Sequence, residues 1–145
     1  MALSSVLFLL LPTFSDADST VNLETTVVSA NRTEQRIENT TVSIDVLPQR
    51  LLTSKSNSRI EQVIQMSPGV TIQDGQANIR SGSGWSLGAG SRVLLLVDDL
   101  PVLSPDAGGA IWNAMPMEAI EQIEIVKGAA SSLYGSSALN GVIHL

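Results

Sequence analysis

The stretch that most constrains the fold is "RVLLLV", residues 92–97, where five apolar residues follow Arg92 without a break. A run of this kind has no solvent face, so it is expected to be a central strand covered on both sides. Asp98, Asp99 and Pro101 should then end it in a turn, because short carboxylates and proline favour turns over a continuing ladder. Adjacent carboxylates after a strand, with a proline two residues on, read as turn formers rather than as a metal site or a general acid.

The segments around this strand are short and of both kinds. "TVSIDV", Thr41 to Val46, sets Val42, Ile44 and Val46 on one face with the period of a half-buried strand. "PQRLL" reads as one helical turn, with Pro48 acceptable at its first position. "SRIEQVIQM" is the clearest helix: Ser58 and Glu61 have capping-box spacing, and Ile60, Val63 and Ile64 form an apolar stripe. "SPG", residues 67–69, stops that helix, since Pro68 disfavours helix at Ser67 and Gly69 permits positive φ. Two short strands, Val70 to Ile72 and Ala77 to Arg80, flank the turn-like "QDGQ". In "MEAIEQIEIV" a helical turn precedes a strand with Ile123 and Ile125 on one face and Glu124 on the other. This order predicts an α+β domain, a small mixed β-sheet with short helices.

Composition narrows the function. Fourteen acidic against eight basic residues give a net charge of −6, which argues against a nucleic-acid binder that needs a basic face. Without cysteine there is no disulfide framework, thiolate metal site or thiol nucleophile. His144 is the only histidine, so neither a zinc site nor a His-centred triad has material. "GSGWSLGAG" precedes a strand rather than a helix and lacks the Lys-Ser/Thr of a P-loop. No cofactor and no enzymatic activity is expected. That glycine-rich stretch, residues 81–91, is a long loop around Trp85 and Leu87, and "LSPDAGGAIWNAMP" is a second one carrying Trp112. Trp85 either folds back onto the core or contacts a ligand. If the "DDLP" turn lies at one end of the sheet and residues 102–103 return beside "RVLLLV", both loops reach the opposite end. Trp85, Leu87 and Trp112 would then form an exposed apex for cargo.

Three segments in register resemble the plug domain of TonB-dependent outer-membrane receptors. "NIRSGSGWSLGAGSRVLLLVDDLPV" is similar to the family's Ile-Arg-Gly stretch and the strand after it. "IEQIEIVKGAASSLYGSSALNGVIHL" is similar to its closing signature, and "ETTVVSA" followed by "NRTEQ" is similar to the TonB box region. Ser81 stands where glycine is usual, as do Asp99 and Asn140; Ala129 replaces a common proline and His144 a common asparagine. Asp99 bears most on the turn, since aspartate tolerates positive φ less well than glycine.

The resemblance implies an outer-membrane location, uptake of a small cargo (an iron chelate, cobalamin or a glycan), and two protein partners. TonB would bind Glu24, Thr25, Thr26, Val27, Val28, Ser29 and Ala30, a β-prone patch read as unpaired and free to add to a partner's sheet. The second partner would be the receptor's own C-terminal 22-stranded β-barrel, whose polar lumen would cover Arg80, Glu124 and Lys127. The chain stops on the opening of a strand where the family hands over to that barrel, so the parent is expected to be several hundred residues longer. Residues 1–18 resemble a signal-peptide remnant, with the apolar run Val6 to Leu11 and "SDADS" as a cleavage zone. Residues 19–35 are expected to be a flexible segment and 36–145 the plug. The competing expectation is a stand-alone periplasmic binding or adaptor domain.

Overall fold

The computed structural model describes residues 25–27, 33, 35–53, 59–82, 85–86 and 90–145. Its centre is a five-stranded mixed sheet. In spatial order the strands are β3 (Ile44–Pro48), β10 (Gln122–Lys127), β11 (Gly141–His144), β8 (Val93–Val97) and β9 (Leu100–Pro101). Only the β11–β8 pair is parallel. Around the sheet lie three two-stranded ribbons: β1 (Thr26–Val27) with β2 (Gln35–Arg36), β4 (Val70–Gln73) with β5 (Gln76–Ile79), and β6 (Trp85–Ser86) with β7 (Gly90–Ser91). The helices are single turns: α1 (Gln49–Thr53), α2 (Ile60–Ile64) and α3 (Ser131–Tyr134). This is the mixed α+β architecture expected of the sequence.

As its composition demands, β8 is covered on both faces. Val93 and Leu95 join one apolar cluster with Leu52, Val63, Ile64, Ile79, Ile123, Ile125 and Ile143. Leu94 and Leu96 join a second with Val126, Ala138 and Val142. Helices α1 and α2 and the β4–β5 ribbon cover the first face, while the 128–140 segment covers the second. The exposed-to-buried alternation expected of a one-sided sheet is therefore absent from β8 and β10.

Several boundaries differ from expectation by a few residues. Strand β3 begins at Ile44 rather than Thr41 and runs on through Pro48, which sits at the sheet's edge, where a missing N–H is tolerated. Arg80 adopts a left-handed φ of 54°, so β5 ends before it. Of the capping box, Ser58 lies outside the described residues, and α2 starts after Arg59 with no side-chain cap. The expected export signal over residues 1–18 also lies outside them.

Candidate functional site

The sheet has two chemically different ends. At one, Asp98 and Asp99, with φ of 48° and 66°, form the tight turn from β8 to β9. The primed geometry matches the twist of paired strands. The Asp99 N–H donates to His144 Nε2 at 3.2 Å, which ties the turn to the end of β11. The antiparallel pairing of β10 with β11 brings Gln122 and Glu124 to this same end. Here a hollow of about 590 Å³ opens between Asp98, Asp99, Glu124 and His144. We call this the turn end.

The N-terminal ribbon docks at the turn end. Gln122 Nε2 donates to the Thr26 carbonyl at 3.3 Å and to Glu124 Oε1 at 2.8 Å. Strand β1 pairs antiparallel with β2, Thr26 opposite Arg36 and Val27 opposite the Gln35 backbone, and Val27 is fully buried. The expectation of an unpaired patch is corrected: the β-branched residues that would suit a partner's sheet first satisfy themselves on β2. Of the seven residues expected to meet TonB, Thr25, Thr26 and Val27 are described; Glu24, Val28, Ser29 and Ala30 lie outside the described residues.

At the opposite, loop end, the two glycine-containing loops meet backbone to backbone. After β9, Val102 N–H donates to the Leu95 carbonyl at 2.9 Å, so the chain does return beside β8. Leu103 and Ala110 then bridge the second loop, and Ser91 N–H donates to the Gly108 carbonyl at 2.9 Å. Gly90 and Gly108 are both left-handed, at φ 69° and 60°, and a Cβ on Gly90 would lie 3.1 Å from the Gly108 Cα. Small residues in these loops thus serve a close main-chain approach.

The tryptophans do not form the expected exposed pair. Trp112 is only 6% exposed, sits in the larger apolar cluster, and donates its indole N–H to the Gly75 carbonyl at 2.7 Å. A short 3₁₀ turn, Trp112–Ala114, aims the ring inward beneath the β4–β5 ribbon. A large ring with one donor gains more from that apolar site with a waiting carbonyl than from solvent. Trp85 contributes described backbone in β6, opposite Ser91, but its side chain and Leu87 lie outside the described residues.

Two of the three expected barrel-facing charges are also inside the chain. Glu124 is 3% and Lys127 7% exposed, because β10 lies between β3 and β11 and its flanks are covered. Only Arg80 is exposed. Lys127 Nζ donates to Asp45 Oδ2 at 2.5 Å and to the Pro68 carbonyl at 2.6 Å, while Ser67 Oγ donates to the same Asp45 oxygen at 2.5 Å. The cluster joins β3, β10 and the α2–β4 connection. Partial burial pulls the Asp45 carboxyl upward, but bonds from Lys127 and Ser67 and the charges of Lys127 and Arg80 outweigh it and hold it below the usual aspartate range. A carboxylate depressed in the folded state stabilises fully above its unfolded value, and that share is lost as pH falls through the folded one. Acid titration should therefore unfold the wild-type chain along a limb to which Asp45 contributes. Asp45→Asn should be less stable at neutral pH and show a shallower acid limb by circular dichroism. Sequence reasoning missed this cluster. Its signal was a charge in mid-strand, but the partner lies 82 residues away and only the fold pairs them.

The fold is thus a small mixed sheet with a docked N-terminal strand at one end and two joined loops at the other. The chain belongs to the TonB-dependent Receptor Plug Domain family, whose model matches residues 36–142. It is similar to the "Vitamin B12 transporter BtuB" of Vibrio vulnificus, 35% identical over 123 residues, covering 84% of this chain and 20% of that protein. It is also similar to the "Iron-regulated outer membrane virulence protein" of Vibrio cholerae, 35% identical over 141 residues and covering 88% of this chain and 20% of that one. Among solved structures, the siderophore receptor PirA from Pseudomonas aeruginosa superposes with a TM-score of 0.54 at 28% identity, covering 70% of this chain and 17% of that chain. The chain thus spans about a fifth of the length of the curated relatives it matches.

Proposed function

We propose that this chain is the plug of an outer-membrane active-transport receptor, seated in the receptor's own C-terminal β-barrel, and that it gates TonB-energised uptake of a scarce nutrient. The carrying observation is that the TonB-box-like strand docks at the turn end while the paired loops close the loop end. A pull from the periplasm and a cargo from outside would then act on opposite ends of one sheet. Cobalamin and ferric siderophores are the cargo classes this reading favours, after the names of the relatives. The plug works by binding and displacement, with no catalytic step.

TonB would capture Glu24 to Ala30 by adding a strand, a mode in which main-chain hydrogen bonds supply affinity. Since Val27 is buried and its strand is already paired with β2, capture requires that ribbon to open first. Cargo contact at the loop end falls to Trp85, Leu87 and their neighbours, because the Trp112 indole is committed to the core. Arg80 remains the exposed charge available to a barrel wall.

Val27→Pro in the full-length receptor tests the reading. Proline removes a backbone donor and cannot continue a ladder, so pairing with TonB should fail. Energised uptake of labelled cargo should be lost while cargo binding by the receptor is retained. Retained uptake, or equal loss of both, would overturn the assignment of residues 24–30.

A further inference from the structure

We infer that the Asp45–Lys127–Ser67–Pro68 cluster is a mechanical clamp that sets where the plug yields when its N-terminal segment is pulled. The inference rests on the proposed pull at residues 24–30 and assigns a role to residues that lie outside that segment.

The chain path carries the argument. Strand β1 lies at the turn end, beside Gln122. From β2 the chain passes through a 3₁₀ turn, Ile37–Asn39, and enters β3 at Ile44. Ile44 pairs with Val126 and Pro48 with Gln122, so β3 starts at the loop end and descends to the turn end. It is an edge strand, paired only with β10. A pull on β1 away from the turn end therefore reaches β3 at its far end and is directed back along the strand. That geometry peels the ladder one residue at a time, beginning where Lys127 N–H meets the Ser43 carbonyl at 2.9 Å.

The clamp sits at that starting point. Asp45 is the second residue of β3, and its carboxylate is held by Lys127 from the neighbouring strand and by Ser67 from the connection after α2. Lys127 is anchored in turn on the Pro68 carbonyl. Peeling past Ile44 must break two bonds to one carboxylate oxygen, one of them charge-assisted on both sides, a larger barrier than any single ladder bond. Before this point, among the described residues, the pull meets the β1–β2 ribbon with its buried Val27, the Thr26–Gln122 contact and the 37–43 segment. Beyond it, β3 faces β10 through ordinary ladder bonds and the burial of Leu47, which is 8% exposed. The position of the clamp thus separates an N-terminal part that yields readily from a sheet that holds.

Single-molecule pulling on the full-length receptor tests this, with the barrel held in a membrane and a handle attached at Thr25. The handle replaces TonB, so the outcome does not depend on TonB recognition. A failure here counts against the clamp, whereas uptake surviving Val27→Pro counts against the partner reading. The wild-type plug should release the segment up to Ser43 at low force and then show a distinct peak as β3 leaves. Asp45→Asn should open that step about tenfold faster at equal force. Leu96→Ala, a core change in β8 away from the pulled edge, should lower overall stability and leave this first peak in place. If Asp45→Asn does not assemble, Ser67→Ala, which removes one arm, should lower the peak by a smaller amount. An unchanged peak in Asp45→Asn or Ser67→Ala, or an equal drop in Leu96→Ala, would overturn the clamp.

Discussion

Gly141→Ala is expected to destabilise the chain by about 4 kcal/mol or more, a large share of the stability of an ordinary domain. Gly141 opens β11 between β10 and β8 with φ at +151°, a conformation that L side chains rarely adopt. A Cβ there would overlap the Val126 carbonyl oxygen and lie 2.7 Å from Ile79 Cδ1. The carbonyl belongs to the neighbouring strand's backbone and cannot swing aside without breaking the ladder. Gly128 is the matched comparison: its φ of +137° is equally unusual, but nothing lies within 4 Å of its missing Cβ. Gly128→Ala should cost only the backbone strain, about 1–3 kcal/mol. Urea denaturation of both variants separates clash from strain, and equal midpoints would show that close approach is not what requires glycine at 141.

Trp112→Ala should cost about 3–5 kcal/mol, the range for removing a large aromatic from a core. The indole belongs to the larger apolar cluster and caps the Asp74–Gly75 turn through its N–H. Trp112→Phe should keep most of the packing and lose about 1 kcal/mol with the hydrogen bond, because the exposed Gly75 carbonyl can turn to water. In a Trp85→Phe background, Trp112 emission should be blue-shifted and poorly quenched by acrylamide. Strong quenching would restore Trp112 to the exposed loop surface.

These two sites show where reading from residues reaches its limit. Trp112 sits in a loop rich in glycine, alanine and proline, and nothing in its immediate neighbours tells an inward ring from an outward one. What decides is the Gly75 carbonyl, 37 residues earlier in the chain. Glu124 and Lys127 failed as surface charges for a related reason. Alternation set Glu124 on the face opposite Ile123 and Ile125, but both faces of β10 are covered by packed parts of the chain, so neither side meets solvent. Asp45 and Lys127 then settle their charges on each other, a pairing no local pattern contains. The TonB-box-like patch was legible as β-prone, yet nothing local named Gln35 and Arg36 as its partner, so its pairing was not.

The sequence by itself determined the class of fold and the family. The five-residue apolar run required cover on both faces, the Ile60, Val63 and Ile64 stripe and the Ser67–Pro68–Gly69 breaker placed α2 and its end, and Asp98–Asp99–Leu100–Pro101 demanded a turn. These features rest on local chemistry: side-chain periodicity, proline's fixed φ and the turn preferences of short polar residues. The path of residues 102–103 back along β8 was only a condition in the sequence; the Val102–Leu95 hydrogen bond is what establishes it. Tertiary structure alone decided the order β3–β10–β11–β8–β9, the meeting of Gly90 with Gly108, the docking of Thr26 on Gln122 and the clamp around Asp45. Each of these depends on a partner tens of residues away, and the energy of such a contact appears only once chain topology has set the distance.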